Sequence, residues 1–489
     1  MQRPADSTTF PAGGVGFLPL LWSIVLLYAI FTLWFGRFQT TDEVAFKAAG
    51  REWAASGRFA APEMQGFHNF DPPAEVAWFG QLPIYTFLFG VFVKVFGFHP
   101  LQNLLFDLLI HLAVVFLTYA IAKVLAGSGT LSAALAAAAI VPISIIGRAD
   151  ELAMLFGMSA MLLLLTRTSR LVSVPAGLLL GLAVATAALA GGAFALAAVL
   201  IFLTDPNEVR ERFLRAAVCA FAAVVTCAGA LAPFLTAYPG VYRQFTSHAA
   251  AQLRGQWWPL FANTLRYGWQ FAAAGAFIVV TSILLFFIER RIWMRFLLVP
   301  TAFVALLICF FPSKSTYLWY FAPWTAAVFA GFWGKLRERQ SRVVAACAAA
   351  ICSFVAIIPA AKDAIVIATL HEDQRLAPNV AMVRRLIPRG SVVLASEYWS
   401  SIGNDYRVRY RYADPGNPGI PDVDYVLVTA NGSGRPGQPQ ALGSTELDDV
   451  SRNFETIYDN LNRRPATLFG HRVTNSAWGF GVRILRRTR

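Results

Sequence analysis

Up to residue 361 the chain alternates long apolar runs with short polar connections. Runs long enough to cross a bilayer, or nearly so, lie at 15–36, 101–125, 131–147, 151–166, 174–190, 192–204, 214–233, 269–288, 295–311, 317–334 and 343–361. A helix needs about 20 apolar residues to span the hydrocarbon layer, so the pattern predicts about eleven membrane helices. Leu82–Phe96 is a shorter apolar run that contains Pro83, Gly90 and Lys94. Beyond 361 the pattern changes. Ser391–Ser396, Asp424–Thr429 and Gly481–Leu485 read as strands, the acidic run Leu447–Leu461 reads as a helix, and 414–421 is a Gly/Pro-rich link. This predicts a membrane module over 1–361 and a small mixed α/β domain over 362–489. No repeat recurs at a fixed period.

Charge placement sets the sidedness. If 82–96 does not span and the N-terminus is cytoplasmic, the inside connections carry Lys123, Arg167, Arg170, Arg210, Arg212, Arg215, Arg290, Arg291, Arg295, Lys335, Arg337, Arg339 and Arg342. The short outside connections then carry only Arg148 and Lys314. That is a positive-inside pattern, and it inverts if 82–96 spans. The run is therefore expected as a juxtamembrane helix at the outer interface. The first apolar run is expected as a membrane helix rather than a signal peptide, being too long and lacking a small-residue cleavage site before the acidic pair that follows.

Composition agrees. Only 14% of residues are charged and 57% are hydrophobic, against about 25% charged in soluble domains. A water-exposed globule of this size is excluded. The net charge of +13 is a topology signal rather than a nucleic-acid signal. The five cysteines lie in apolar stretches without metal-ligand spacing and read as small buried hydrophobes.

The proposed sidedness gathers the chemistry-bearing residues outside. A first loop at 37–100 opens on Asp42–Glu43. Such acids are often solvated loop charges, but Trp53, Phe59, Phe67, Phe70, Trp78 and Phe79 make this loop too apolar for a free tether. It is expected to pack on the membrane as short helices, and an acid in a partly dry cleft there would suit a general base. Gly147-Arg148-Ala149-Asp150-Glu151 places two acids and an arginine in a short connection. Asp150 and Glu151 would favour the N-terminus of the next helix, and with Arg148 on the same side as Asp42 they are also candidates to line one site. Pro312-Ser313-Lys314-Ser315-Thr316-Tyr317, followed by Tyr320 and Pro323, would suit a phosphate. The outside loop 234–268 mixes Arg243, His248 and Arg254 with Tyr238, Tyr242, Trp257 and Trp258. The tryptophans read as an interfacial belt, while the cations suit a surface role or a lipid phosphate or sugar equally. Asp107 and His111 are one helical turn apart inside a span, which makes them functional candidates. A structural pair that locks helices together is the preferred reading. No zinc motif, P-loop, dinucleotide fingerprint or nucleophile elbow is present.

This set of features resembles the glycosyltransferase C (GT-C) superfamily, and most closely bacterial relatives of the protein O-mannosyltransferases and the lipid A aminoarabinose transferases. Four patterns carry the resemblance: Asp42–Glu43 after the first helix; Asp71-Pro72-Pro73 with Leu82-Pro83-Ile84-Tyr85 and Val95-Phe96-Gly97; Gly147–Glu151; and Ser313-Lys314 with Tyr317 or Tyr320 and Pro323. One departure is the absence of the lysine that often precedes the paired prolines. The resemblance covers about residues 15–335; the tail matches only in type.

The resemblance implies a polytopic α-helical fold, with a large first periplasmic loop of juxtamembrane helices and a small periplasmic C-terminal α/β domain. It places the chain in a bacterial inner membrane. It implies transfer of a sugar from a polyprenyl-monophosphate donor to a hydroxyl of a lipid, glycan or protein, with inversion. Asp42, beside Glu43, would take the acceptor proton. Lys314, with Arg148 or Arg243, and with Arg254, Tyr317 and Tyr320 nearby, would hold the lipid phosphate. Asp150 and Glu151 would hold acceptor hydroxyls or set the charge of Asp42. No cofactor is required, since a monophosphate is already a fair leaving group, and no metal site is indicated. The rival class is a multi-span transporter or flippase, which Asp107 and His111 would also suit. Transporters tend to place charges at the midplane within repeats, whereas here they gather on one side.

Overall fold

The computed structural model describes residues 18–35, 41–64, 72–126, 130–141, 147–246, 321–339 and parts of 361–488, with short breaks inside these stretches. The helices are α1 (Leu18–Phe35), α2 (Thr41–Ser56), α3 (Pro83–Phe96), α4 (Pro100–Ala126), α5 (Thr130–Ile140), α6 (Ala149–Thr166), α7 (Arg170–Thr186), α8 (Ala188–Thr204), α9 (Val209–Ala237), α10 (Ala322–Arg339) and α11 (Leu376–Leu386). Where they are described, the apolar runs predicted from 15–36 through 214–233 are helical, as is the part of the 317–334 run from Ala322 onward; residues 142–146 and 317–320 lie outside the described residues. The runs at 269–288, 295–311 and 343–361 lie outside the described residues. Three described helices, at Leu101–Leu125, Ala149–Thr166 and Val209–Ala237, are long and apolar enough to cross a membrane.

Side chains pack the helices into a bundle. Val114 of α4, Met154 and Met158 of α6, Phe194 of α8 and Trp324 of α10 share one buried core. Outside it, Leu26, Leu27 and Trp34 of α1 and Phe213, Phe221 and Val224 of α9 stay exposed. An exposed apolar face of this extent belongs in lipid rather than water.

Leu82–Phe96 forms one short helix. Pro83 starts α3, where its missing N–H costs nothing, and Gly97 ends it at φ 83°. Its 14 residues extend about 21 Å at 1.5 Å per residue, short of the roughly 30 Å hydrocarbon layer. The first loop is also helical where it begins, since α2 starts at Thr41 and carries the acid pair. α2 lies tightly on α3: a Cβ at Gly50 would meet the Thr86 carbonyl oxygen at 2.2 Å, and one at Gly90 the Gly50 oxygen at 2.7 Å. Only glycine permits that approach.

The tail forms a five-stranded sheet in the order β2-β1-β3-β7-β4. The strands are β1 (Val392–Ala395), β2 (Arg407–Tyr410), β3 (Tyr425–Thr429), β4 (Phe454–Asp459) and β7 (Val482–Arg487), with a separate β5 (Thr467–Leu468) and β6 (His471–Arg472) hairpin. β1 pairs in parallel with β2 and β3, while β7 runs antiparallel to β3 and β4. The three runs read as strands are strands. Of the run Leu447–Leu461, read as a helix, Val450, Arg452 and Asn453 are helical, but Phe454–Asp459 is a strand. The acids of that strand answer cross-strand cations rather than forming a solvated helix face: Glu455 pairs with Arg486, and Asp459 with Arg483. A single hydrophobic cluster joins this sheet to the first loop, running from Ala45 and Ala49 through Phe59, Met64, Trp78 and Phe79 to Val380, Val393, Trp399 and Ile484.

Candidate functional site

A charge-dense cluster is buried where the start of α2 meets α3 and the N-terminal parts of α4 and α6. Glu43, Lys47, Asp107, His111, Asp150 and Glu151 are all buried there. Their shell is apolar: Phe46, Tyr85, Ile110, Ala149 and Leu152 pack as one group. In such surroundings an ionised group must be paired, and the pairings are specific.

Lys47 forms a salt bridge with one oxygen of Asp107. The Tyr85 hydroxyl donates to the other oxygen at 2.8 Å. Burial first, and then the charges of Asp107, Glu43 and Glu151, hold the Tyr85 phenol well above its ordinary pKa. A phenol between so many carboxylates stays neutral and donates.

His111 bridges α4 and α6. Its Nδ1 lies 2.6 Å from Glu151 Oε1, and its Nε2 lies 3.0 Å from the Val141 carbonyl oxygen. A carbonyl only accepts, so Nε2 carries a proton. The Nδ1···Oε1 contact then holds one more proton, either on the ring facing a carboxylate or on the carboxyl facing a neutral ring. The pair is neutral overall in both cases. Arg148 Nε donates to Asp150 Oδ2 at 3.2 Å, and its guanidinium lies 5.1 Å from the Phe46 ring centroid.

Local sequence explains these placements. Gly147 sits at φ 101°, a left-handed conformation that favours glycine. A Cβ there would meet Glu43 Cγ at 2.5 Å, so the bare glycine leaves room for the Glu43 carboxylate. Asp150 and Glu151 follow in the first turn of α6, where the helix dipole favours negative charge.

The structure thus gathers Glu43, Arg148, Asp150, Glu151, Asp107 and His111 in one place. Asp42 lies in the first turn of α2, and its side chain is outside the described residues. Asp107 and His111 each take a partner from another helix. One reaches α2 and α3, the other α6, so they lock helices together through separate partners. Arg243 is exposed, with its guanidinium 5.9 Å from the Tyr242 ring centroid. Its neighbour Gln244 is buried and ties this turn to the first loop, donating to the Pro72 and Ala77 carbonyls at 2.7 and 2.8 Å. His248, Arg254, Lys314, Tyr317 and Tyr320 lie outside the described residues.

Two members of the cluster, Lys47 and Tyr85, are missed by the sequence reading. A signal existed for each: Lys47 follows Glu43 by one helical turn, and Tyr85 ends the Leu82-Pro83-Ile84-Tyr85 stretch. Among the described residues no group of three or more His, Cys, Asp or Glu has the arrangement to hold a metal ion.

The fold is similar to that of the aminoarabinose transferase ArnT from Cupriavidus metallidurans, crystallised bound to undecaprenyl phosphate. The TM-score is 0.51 at 17% identity, over 74% of this chain and 67% of that one. A weaker likeness, with TM-score 0.43 and 13% identity, is to an oligosaccharyltransferase from Archaeoglobus fulgidus, over 83% of this chain and 67% of that one. No protein-family model and no curated protein matches the sequence. The likeness to ArnT agrees with the resemblance carried by the motifs, and at 17% identity it shows the fold alone.

Proposed function

We propose that this chain is a membrane glycosyltransferase that moves a sugar from a polyprenyl-monophosphate donor to a hydroxyl on a lipid, glycan or protein. The observation that supports the reading is the start of α2, which bears Asp42 and Glu43 and packs against Gly147 and Arg148 at the start of α6, in a fold similar to that of ArnT. The reaction takes place at the periplasmic face of a bacterial inner membrane, with the N-terminus cytoplasmic. The tail, 362–489, forms a periplasmic domain packed on the first loop.

Asp42 accepts the proton of the acceptor hydroxyl as its oxygen attacks the anomeric carbon. The bond from that carbon to the phosphate oxygen breaks on the opposite face. The lipid phosphate leaves with the bonding pair, and the configuration inverts. Lys314, with the hydroxyls of Tyr317 and Tyr320, holds the phosphate and offsets its growing charge. Arg148 or Arg243 adds its positive charge to that of Lys314 at the phosphate, with Arg254 and His248 as further candidates on the same outer loop. Asp150 and Glu151 orient the acceptor or hold the local charge near Asp42. The prenyl chain lies between helices, as an apolar tail requires.

The test is transfer of label from radiolabelled polyprenyl-phosphate sugars in membranes carrying Asp42→Asn or Asp42→Ala protein. Loss of transfer in both variants supports Asp42 as base, and normal transfer by both removes that role. No transfer by the unaltered protein from any donor, with intact flux of a substrate across the membrane, points to a transporter.

A further inference from the structure

Lys47 has no part in the displacement described above, yet its ammonium is buried. A lone lysine in such a place tends to lose its proton. Here Asp107 supplies the countercharge, and the Phe89 ring centroid lies 5.2 Å from Nζ. Because Tyr85 donates to the second Asp107 oxygen, a single carboxylate ties α2, α3 and α4 together.

The same stretch of α2 is also held through its backbone. Trp78 Nε1 donates to the Ala45 carbonyl at 2.8 Å, and Thr86 Oγ1 to the Phe46 carbonyl at 2.6 Å. These contacts and the Gly50–Gly90 approach already dock the helix. A well-packed apolar pair often stabilises as much as a buried ion pair of similar volume, so docking alone does not require a lysine. An apolar pair would not supply a directional contact that fixes helix rotation, nor a positive charge one turn from Glu43. Residues four apart on a helix are surface neighbours, and Asp42 occupies the turn before.

We propose that Lys47, clamped by the Asp107 carboxylate that Tyr85 holds, is a positioning residue for the acid pair Asp42–Glu43, fixing the rotation of α2 and placing positive charge one turn from Glu43. The proposal rests on the reading of that pair as the proton-accepting end of a transferase. The charged and titratable groups surrounding Lys47 are Glu43 and Arg51 on its own helix, Tyr85 from α3, Asp107 and His111 from α4, and Arg148, Asp150 and Glu151 at the start of α6.

The test uses the purified full-length protein in proteoliposomes, as wild type, Lys47→Met, Lys47→Arg and the double variant Lys47→Met/Asp107→Leu. The donor is whichever polyprenyl-phosphate sugar the wild type accepts. The double variant is expected to melt closer to the wild type than Lys47→Met does, because the unpaired charge is gone and the remaining cost is the acceptor lost by the Tyr85 hydroxyl. Its kcat is expected to fall roughly 100-fold, the scale of a small misplacement of reacting groups, with the donor KM little changed. The acidic limb of the Lys47→Met pH–rate profile should move to higher pH, since loss of a nearby cation with Asp107 retained favours the protonated carboxyl. Lys47→Arg should recover part of both rate and profile. A double variant that is stable and as fast as wild type, together with an unchanged Lys47→Met pH profile, overturns the proposal. A wild type inactive with every donor overturns the transferase reading instead. The role of Lys47 is then read from hydrogen exchange of the α2 amides: faster exchange in the double variant supports the clamp, and equal exchange overturns it.

Discussion

The cluster beneath the first loop and the tail sheet use the same ion pairs in opposite surroundings. Lys47 and Asp107 expose 4% and 3% of their side chains, and His111 and Glu151 expose 1% and 4%. In the tail, Arg483 and Asp459 expose 37% and 30%. Water screens the second kind, so either partner can be lost at small cost. It does not screen the first kind, so removal of one partner leaves a charge the interior cannot solvate. The comparison shows where charge is expensive to keep in this molecule, and that is where Glu43 sits.

The largest contrast is chemical. Asp42→Asn should reduce sugar transfer about 10²–10⁴-fold, the usual share of a positioned base. A matched Asp459→Asn in the tail should leave the rate unchanged. Equal effects in the same labelled-donor assay would erase the distinction between the two regions.

Next comes His111→Leu, which strands Glu151 in an apolar shell. It should destabilise the protein by about 3–5 kcal/mol, read as a lowered melting temperature in detergent. The double variant His111→Leu/Glu151→Leu should recover most of the loss. A single variant that melts like wild type would show that water reaches the cluster and that its charges are not costly.

Gly147→Ala is a smaller perturbation. Its left-handed backbone alone costs a non-glycine residue about 1–2 kcal/mol, and the new Cβ would strike the Glu43 side chain. We expect modest destabilisation with a disproportionate loss of transfer. Activity falling only in step with stability would place Glu43 outside the reaction.

Arg483→Gln, which breaks the half-exposed pair with Asp459, should change stability by at most about 1 kcal/mol, and less at high salt. A salt-independent loss of several kcal/mol would make the tail a second buried network.

The smallest effect is a pH dependence in the tail. Burial first, and then the Asp405 charge, raise the Tyr406 phenol above its ordinary value, against the opposing pull of Arg384 and Arg389. Its hydroxyl donates to the Ile387 carbonyl at 3.1 Å. The folded state holds the proton more tightly, so this contribution is complete below the unfolded-state value near pH 10 and fades as pH rises through the folded one. Hydrogen exchange of the sheet amides should therefore accelerate in alkali for the wild type, and less steeply for Tyr406→Phe. Parallel profiles would assign the alkaline loss to other groups.

Local pattern determined much of this molecule. Apolar runs of bilayer length became helices wherever the chain is described, because a helix is what satisfies backbone polar groups within an apolar run. The alternating stretches of the tail became strands. The Asp42–Glu43 and Arg148–Asp150–Glu151 groups stood out because charge is rare in such a chain. The later part of the acidic run Leu447–Leu461 misled because helix periodicity is blind to what lies across a sheet: Glu455 and Asp459 are paired by arginines of β7, 31 and 24 positions later.

Tertiary structure alone decided who meets whom in the site. Asp107 and His111 share a face of α4, and residues on one face point outward to neighbouring helices rather than toward each other. Where α2, α3 and α6 cross α4 determines that Asp107 receives Lys47 and Tyr85, and that His111 receives Glu151. Those crossings depend on close contacts such as Gly50 on Gly90 and the space above Gly147, which no spacing in the sequence encodes. The sequence determined which charges exist and that they must be kept from lipid; packing determined which of them compensate one another, because in a dry interior a charge is held by the partner that geometry brings within reach.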